Sequence, residues 1–189
     1  MARIYLSTLL LMLSVLGLSQ NKVLKVKILQ NGEEVLPSNN VYNLKREEFT
    51  INFTSNNIEG FLVGATLDPN IYKSALENIN AEISWFSNTG VADGLYNPDK
   101  SMFILDDAPS YWYYSSKKDH RFDKNPKGTP TNYISNRTIS SFENLNTNQI
   151  INLKTIGQPV YLYFYNVDRD DNYNIINVEN YFHGQLNFH

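Results

Sequence analysis

The last 31 residues of the chain constrain its fold more than any other segment. From Val160 to Val167 nearly every residue is branched or aromatic, so both faces of this segment are apolar. A strand that is apolar on both faces belongs in the middle of a covered sheet. Turn-forming residues follow over Asp168–Asn174, and Phe182–Phe188 then alternates between apolar and polar side chains, as in a half-buried strand. We therefore expect the central ribbon of an all-β domain here.

Short alternating segments fill most of the remaining chain. The strongest hairpin signal is Asn31-Gly32, directly after the alternating segment Lys22–Gln30. Further strands are predicted over Glu33–Leu36, Val41–Leu44, Phe49–Thr54, Gly60–Thr66, Ala81–Ser87, Ser101–Leu105, Tyr111–Tyr114, Tyr133–Ile139 and Asn148–Lys154. By contrast, Ser115–Asn132 is poor in apolar residues and is interpreted as a long loop.

A single helix is predicted over Pro69–Ile79. Asp68 suits the N-cap, Pro69 suits the first helical position, and apolar residues follow at helical spacing. One short amphipathic helix in a β chain is expected to close an end of the sandwich. The sequence thus predicts a single antiparallel β-sandwich of about eight to ten strands with one capping helix.

The N-terminal residues have the layout of a secretory signal peptide. Arg3 precedes an apolar run over Ile4–Leu18, and Gly17 and Ser19 place small residues before a cut at Gln20. The run is shorter than the ~20 residues of a typical membrane span, although a retained anchor is the alternative. We therefore expect a signal peptide over residues 1–19 and a β-sandwich domain over residues 20–189. The mature chain would have no membrane span and would be periplasmic or secreted.

Charge and cysteine content exclude several classes of function. Loss of Arg3 with the signal peptide takes the 16 basic residues to 15 against 19 acidic ones, a net charge of −4. Nucleic-acid binding requires clustered basic charge, so nucleic acid is not expected as a partner. The chain has no cysteine, which excludes disulfides and a thiol nucleophile.

The turn of the central ribbon carries oxygen-bearing residues at alternate positions. They stand at positions 1, 3, 5, 7 and 12 of one window and are Asp168, Asp170, Asn172, Asn174 and Glu179. The spacing resembles the calcium loop of helix-loop-helix proteins, and calcium prefers such hard oxygens. The resemblance covers these 12 residues alone, and Tyr173 stands where that loop has glycine. The sequence predicts either a calcium site or a polar hairpin turn.

An aromatic segment followed by a basic one is the second candidate site. Its members, which could bind a glycan or a protein, are Tyr111, Trp112, Tyr113, Lys117, Lys118 and Arg121. The alternative is a core strand, with Trp112 and Tyr114 pointing inward, followed by a solvated charged loop. The sequence leaves both interpretations open.

No catalytic motif accompanies these segments. The three histidines, His120, His183 and His189, have no recognisable zinc spacing, and no nucleophile elbow or phosphate loop occurs. Abundant Asn, Lys, Ile, Tyr and Phe are typical of an AT-rich genome and favour a bacterial source. We therefore expect an exported, non-catalytic binding or accessory protein of the bacterial envelope, which recognises a glycan or protein. The alternatives are a secreted hydrolase with dispersed acid–base residues, or an immunity- or inhibitor-type protein that binds one protein partner.

Overall fold

A computed structural model describes residues 21–58, 60–77, 101–104, 112–115, 127–129, 131–144 and 147–189. For residues 101–104, 112–115 and 127 it describes the backbone alone. The predicted signal peptide, the predicted strand Ala81–Ser87 and the last two residues of the predicted helix lie outside these ranges. Within them, no helix is long and apolar enough to cross a membrane.

The described residues form one helix and thirteen strands. The helix is α1 (Pro69–Glu77). The strands are β1 (Val23–Gln30), β2 (Glu33–Glu34), β3 (Val41–Leu44), β4 (Phe49–Asn56), β5 (Gly60–Thr66), β6 (Ser101–Ile104), β7 (Trp112–Ser115), β8 (Lys127–Gly128), β9 (Tyr133–Ile139), β10 (Ser141–Asn144), β11 (Gln149–Asn152), β12 (Val160–Arg169) and β13 (Ile175–Phe188). They form a front sheet (β2-β1-β4-β9-β8), a back sheet (β3-β13-β12-β5-β7) and a small side sheet (β11-β10-β6).

The main core lies between the front and back sheets. Every second residue of β4 is buried there, beginning with Phe49, Ile51 and Phe53. The ring of Phe53 lies 5.4 Å from that of Phe61 on β5 and 5.6 Å from that of Phe164 on β12. Each such fully buried ring contributes roughly 1.5–3 kcal/mol relative to an exposed one. The predicted all-β sandwich is confirmed.

The ribbon formed by β12 and β13 is central, as predicted. Strand β12 is the third of the five strands of the back sheet and pairs with β13 over most of its length. Leu162 and Phe164 belong to the main core, whereas Tyr163 and Tyr165 belong to a second cluster on the opposite face. Strand β12 is therefore apolar on both faces because both of its faces are buried.

Helix α1 covers that opposite face. Ala75 of the helix is buried against Leu62, Tyr163, Tyr165 and Val178 in the second cluster. The predicted N-cap is also present, because Oδ1 of Asp68 accepts a bond from the N–H of Asn70 at 2.7 Å. The helix thus lies on the outer face of the back sheet and not at the end of the sandwich, since this outer face is apolar and requires cover.

The pairing contains two features that alternation alone did not predict. Strand β3 pairs with β13, and β6 with β10, in parallel, although the other pairs are antiparallel. Strand β10 was not predicted because only Phe142 among its four residues is a strongly apolar strand former. The short strand β8 lies inside the segment interpreted as a loop.

Candidate functional site

The turn between β12 and β13 is a tight hairpin. The N–H of Tyr173 donates to the carbonyl of Asp170, and the N–H of Asp170 donates to the carbonyl of Asn174, both at 2.9 Å. Tyr173 has φ of 65°. This is the three-residue hairpin loop in which a left-handed residue follows a turn, a position that favours glycine.

The carboxylate of Asp170 stabilises this turn from within. Its Oδ1 accepts bonds from the N–H groups of Asn172 and Asn174, at 2.9 and 2.8 Å, and its Oδ2 accepts one from Nδ2 of Asn174 at 3.0 Å. The Asn174 side chain first, and then the backbone donors, lower the pKa of Asp170. Asp170 therefore acts as the hydrogen-bonding centre of its own turn.

The other two carboxylates of the predicted calcium site have different partners. Oδ2 of Asp168 accepts a bond from Nδ2 of Asn177 at 3.1 Å. Glu179 forms an ion pair with Lys22 at 2.9 Å and accepts a bond from the Tyr181 hydroxyl. Across the described ranges, no three His, Cys, Asp or Glu side chains are grouped so that they could hold a metal ion. Calcium binding at this turn stays a prediction. It would require Asp168 and Glu179 to exchange their present hydrogen-bond and ion-pair partners for the metal ion.

The aromatic and basic candidates are only partly described. Trp112 and Tyr113 lie on β7, and their register partners on β5 are Val63 and Leu62. Of the strands that the structure describes, β7 is the outermost on that side of the back sheet. The remaining members, Tyr111, Lys117, Lys118 and Arg121, lie outside the described residues, so the surface that they would form stays a prediction.

A tyrosine–histidine pair holds α1 to the back sheet. The Tyr72 hydroxyl lies 3.0 Å from Nδ1 of His183, and the Tyr72 ring stacks on that of Tyr161 at 4.9 Å. Burial lowers the pKa of His183. Burial, and then the neighbouring Tyr161, raise the pKa of Tyr72 to about 12. Both shifts favour the neutral forms, which suits a packing contact between helix and sheet.

The outer face of the front sheet carries neutral polar pairs. Because Phe49, Ile51 and Phe53 point into the core, the alternate residues of β4 face outward. Two of them pair with residues of β9. The Thr50 and Thr138 hydroxyl oxygens lie 3.3 Å apart, and Nδ2 of Asn52 donates to Oδ1 of Asn136 at 2.7 Å. We call these four residues, Thr50, Asn52, Asn136 and Thr138, the polar face.

A cleft of about 350 Å³ opens beside the polar face. Thr50 and Asn136 belong to both, and Leu29 of β1 adds an apolar side chain to the cleft lining. One end of the lining is the β1–β2 turn, where Asn31 and Gly32 have φ of 55° and 83°, as the predicted Asn-Gly hairpin requires. The segment that leads into β4 contributes Glu47 and Glu48 to the lining.

Hydrogen bonds join the two walls of the cleft. Nδ2 of Asn31 donates to Oε1 of Glu47 at 2.8 Å. Behind it, the side chain of Gln30 is mostly buried: its Oε1 accepts from the N–H of Lys45 at 2.9 Å, and its Nε2 donates to the carbonyls of Lys45 and Glu47 at 3.1 and 3.3 Å. A buried amide with such partners fixes the backbone that carries Glu47. The cleft is therefore formed before any ligand arrives.

Sequence reasoning did not single out the polar face or the cleft. The alternation of Thr50, Asn52 and Thr54 with buried residues was visible and identified a strand. However, its register with Asn136 and Thr138 is set by a β4–β9 pairing between segments more than 80 residues apart. No short motif marks such a site.

Comparisons with known proteins add no assignment. No protein-family model, no curated protein and no solved structure matches this chain. The chemistry of the described residues is therefore the basis for a function.

Proposed function

We propose that this protein is an exported, non-catalytic binding protein of the bacterial envelope, and that it recognises a glycan through the polar face and the adjoining cleft. The observation that carries the proposal is the pairing of Thr50 with Thr138 and of Asn52 with Asn136 beside a cleft whose walls are hydrogen-bonded together. The signal peptide predicted over residues 1–19 supports the envelope location.

The residue types on this face suit a neutral, hydroxyl-rich ligand. Asparagine has low β propensity, so two asparagines at directly opposed strand positions are unusual in a sheet selected for stability alone. Amides and hydroxyls each donate and accept hydrogen bonds, as sugar hydroxyls do. Because both strands are anchored by core residues, these groups stay in fixed positions, which lowers the ordering cost of binding.

A second candidate function is capture of a protein partner through the predicted aromatic and basic surface. The position of β7 favours it, because β7 is the outermost described strand on its side of the back sheet and carries Trp112 and Tyr113. An outer strand can accept an additional strand from another protein. This candidate uses the opposite sheet, so the two can be tested separately.

Co-sedimentation with insoluble envelope polysaccharide tests the proposal. We expect the wild-type protein to sediment with the polysaccharide, and the double variant Asn52→Ala with Asn136→Ala to bind about tenfold or more weakly, since two hydrogen-bonding groups are lost. The matched control is Tyr113→Ala with Arg121→Ala on the predicted aromatic and basic surface, which should bind polysaccharide normally. Loss of binding in the control alone, or no binding by the wild type, would contradict the proposal.

A further inference from the structure

We infer that the cleft is a subsite for one uncharged sugar ring, held through adjacent hydroxyl groups. The inference rests on the proposed glycan-binding function and specifies which part of a glycan is recognised, and by which groups. It is built from four properties of the cleft: its size, its hydrogen-bonding groups, its charge and its rigidity.

The size of the cleft fits a single ring. Its volume of about 350 Å³ lies near the lower end of the range for small-molecule sites, roughly 300–1,000 Å³. Leu29 supplies an apolar side chain against which the C–H groups of a sugar ring can lie. Asn136 belongs both to the cleft lining and to the outward face of the sheet, so a longer chain could extend from the cleft across that face.

The hydrogen-bonding groups match two neighbouring hydroxyls. The bond between Asn52 and Asn136 uses one N–H of Asn52 and one oxygen of Asn136. An amide has two donors and an acceptor with two lone pairs, so Asn136, which lines the cleft, can still offer its donors, and Asn52, directly opposite it on β4, can offer its oxygen. Donor and acceptor then stand side by side on adjacent strands, which are roughly 5 Å apart. Two adjacent sugar hydroxyls can bind such a pair, one by accepting a bond from the donor and the other by donating a bond to the acceptor.

The charge of the cleft selects against acidic sugars. Glu47 and Glu48 belong to its lining, and both residues are exposed. On the outward face of β1, the ammonium group of Lys27 is ion-paired with Glu34. A uronic acid would place its carboxylate near that of Glu47, whose Oε1 accepts a bond from the neutral amide of Asn31, and like charges at close range repel. An uncharged ring avoids this cost and can still donate a hydroxyl bond to the Glu47 carboxylate.

Because the walls of the cleft are already fixed, a few weak contacts are sufficient to bind a sugar ring. The Asn31–Glu47 bond and the bonds of Gln30 hold both walls in place. The ligand therefore does not need to order the loop that carries Glu47, and less of the interaction energy is lost on binding. A single ring should bind with a dissociation constant on the order of 1 mM, a modest affinity that repeated units of a glycan would raise.

The experiment is an NMR titration of the purified protein with methyl glycosides of glucose, galactose and mannose. We expect at least one of them to shift the side-chain amide signals of Asn31 and Asn136 saturably. The matched acidic probe, methyl glucuronide, should bind at least about tenfold more weakly because it differs mainly in its charge. Equal binding of glucuronide, or no saturable shift with any neutral glycoside, would overturn the inference.

Two variants and one control separate the subsite from general effects on folding. Thr50→Val keeps the shape of the side chain and removes its hydroxyl, and Asn136→Ala removes the amide. Each should weaken glycoside binding about 3- to 10-fold. Thr54→Val makes the same change two rungs further along β4, outside the cleft lining, and should bind normally. If Thr50→Val and Thr54→Val bind equally well, the cleft is not the subsite.

The two levels of proposal fail in distinguishable ways. If the protein sediments with envelope polysaccharide but no neutral glycoside binds the cleft, the glycan-binding function stands and the single-ring subsite is wrong. If glycosides bind the cleft but no envelope polysaccharide is retained, the subsite stands and the envelope glycan is not the target. Each result therefore supports or overturns one statement.

Discussion

The front and back sheets share one core, but their outer faces differ in burial. On the outer face of the back sheet, Leu62 of β5 and Tyr163 and Tyr165 of β12 are buried in the second cluster, together with Ala75 of α1. The outward residues of β4 in the front sheet are Thr50, Asn52 and Thr54, which are only partly buried. The contrast indicates that the back sheet uses its second face for stability. In the proposed function, the second face of the front sheet is the one that binds the ligand.

The largest expected effect tests this contrast directly. Leu62→Ala, on the outer face of β5, should lower the free energy of unfolding by about 2–5 kcal/mol, because it leaves a cavity in the second cluster. Thr54→Ala, on the outer face of β4, should lower it by less than about 1 kcal/mol. Urea unfolding of both variants, followed by tryptophan fluorescence, measures the difference. Similar losses would show that the two outer faces are equally structural.

The effect of calcium on stability tests the turn between β12 and β13 in the back sheet. If Asp168, Asp170, Asn172, Asn174 and Glu179 form a site, calcium at about 100 times its dissociation constant adds roughly 2.7 kcal/mol. That corresponds to a rise of about 5–10 °C in melting temperature for a domain of this size. The rise should disappear in Asp168→Ala and in Glu179→Ala. An unchanged melting temperature would assign these carboxylates to their present partners, among them Lys22 and Tyr181.

The pH dependence of stability should also originate in the back sheet. Because burial lowers the pKa of His183, the unfolded chain binds a proton more readily, so stability is complete above about pH 6.5 and falls as the pH decreases below it. On the alkaline side, the raised pKa of Tyr72 means that stability is lost as the pH rises above about 10. Melting temperatures across this range measure both limbs.

Variants assign each limb to its residue. His183→Gln should flatten the acid limb between about pH 5 and 7. Tyr72→Phe should make the alkaline limb shallower without abolishing it, because burial also raises the pKa of Tyr163 to about 12. Tyr72→Phe also removes the hydroxyl beside His183 and should cost about 1 kcal/mol at neutral pH. An acid limb that is unchanged in His183→Gln would show that another group carries the dependence.

Features that depend on residues close together in the sequence were predicted correctly, whereas features that depend on distant residues were not. Local patterns correctly identified the Asn31-Gly32 turn, the N-cap at Asp68 and the central position of Val160–Val167, since each depends on neighbouring residues. The prediction that α1 closes an end of the sandwich was wrong, because the position of the helix depends on which sheet face is apolar and would otherwise be exposed to solvent. The polar face was missed for a related reason: Asn52 and Asn136 become a pair only when β4 and β9 adopt their register. Alternation predicts which residues face outward but not which outward residues meet.

The two hairpin turns repeat the contrast between the sheets on a smaller scale. The front-sheet turn places Asn31 and Gly32 at positive φ, and these residue types tolerate that conformation. The back-sheet turn places Tyr173 there, a residue that is 79% exposed and that lacks glycine's freedom. Strain of this kind is expected to be relieved by glycine.

Tyr173→Gly should therefore stabilise the protein by up to about 1 kcal/mol, the left-handed cost of a side chain less the larger entropy of an unfolded glycine. Gly32→Ala is the matched opposite and should destabilise by about 1–2 kcal/mol, because it places a side chain at φ of 83°. Urea midpoints with unchanged slopes measure both effects. If Tyr173→Gly instead destabilises, the Tyr173 side chain contributes more to the stability of the turn than its left-handed backbone costs.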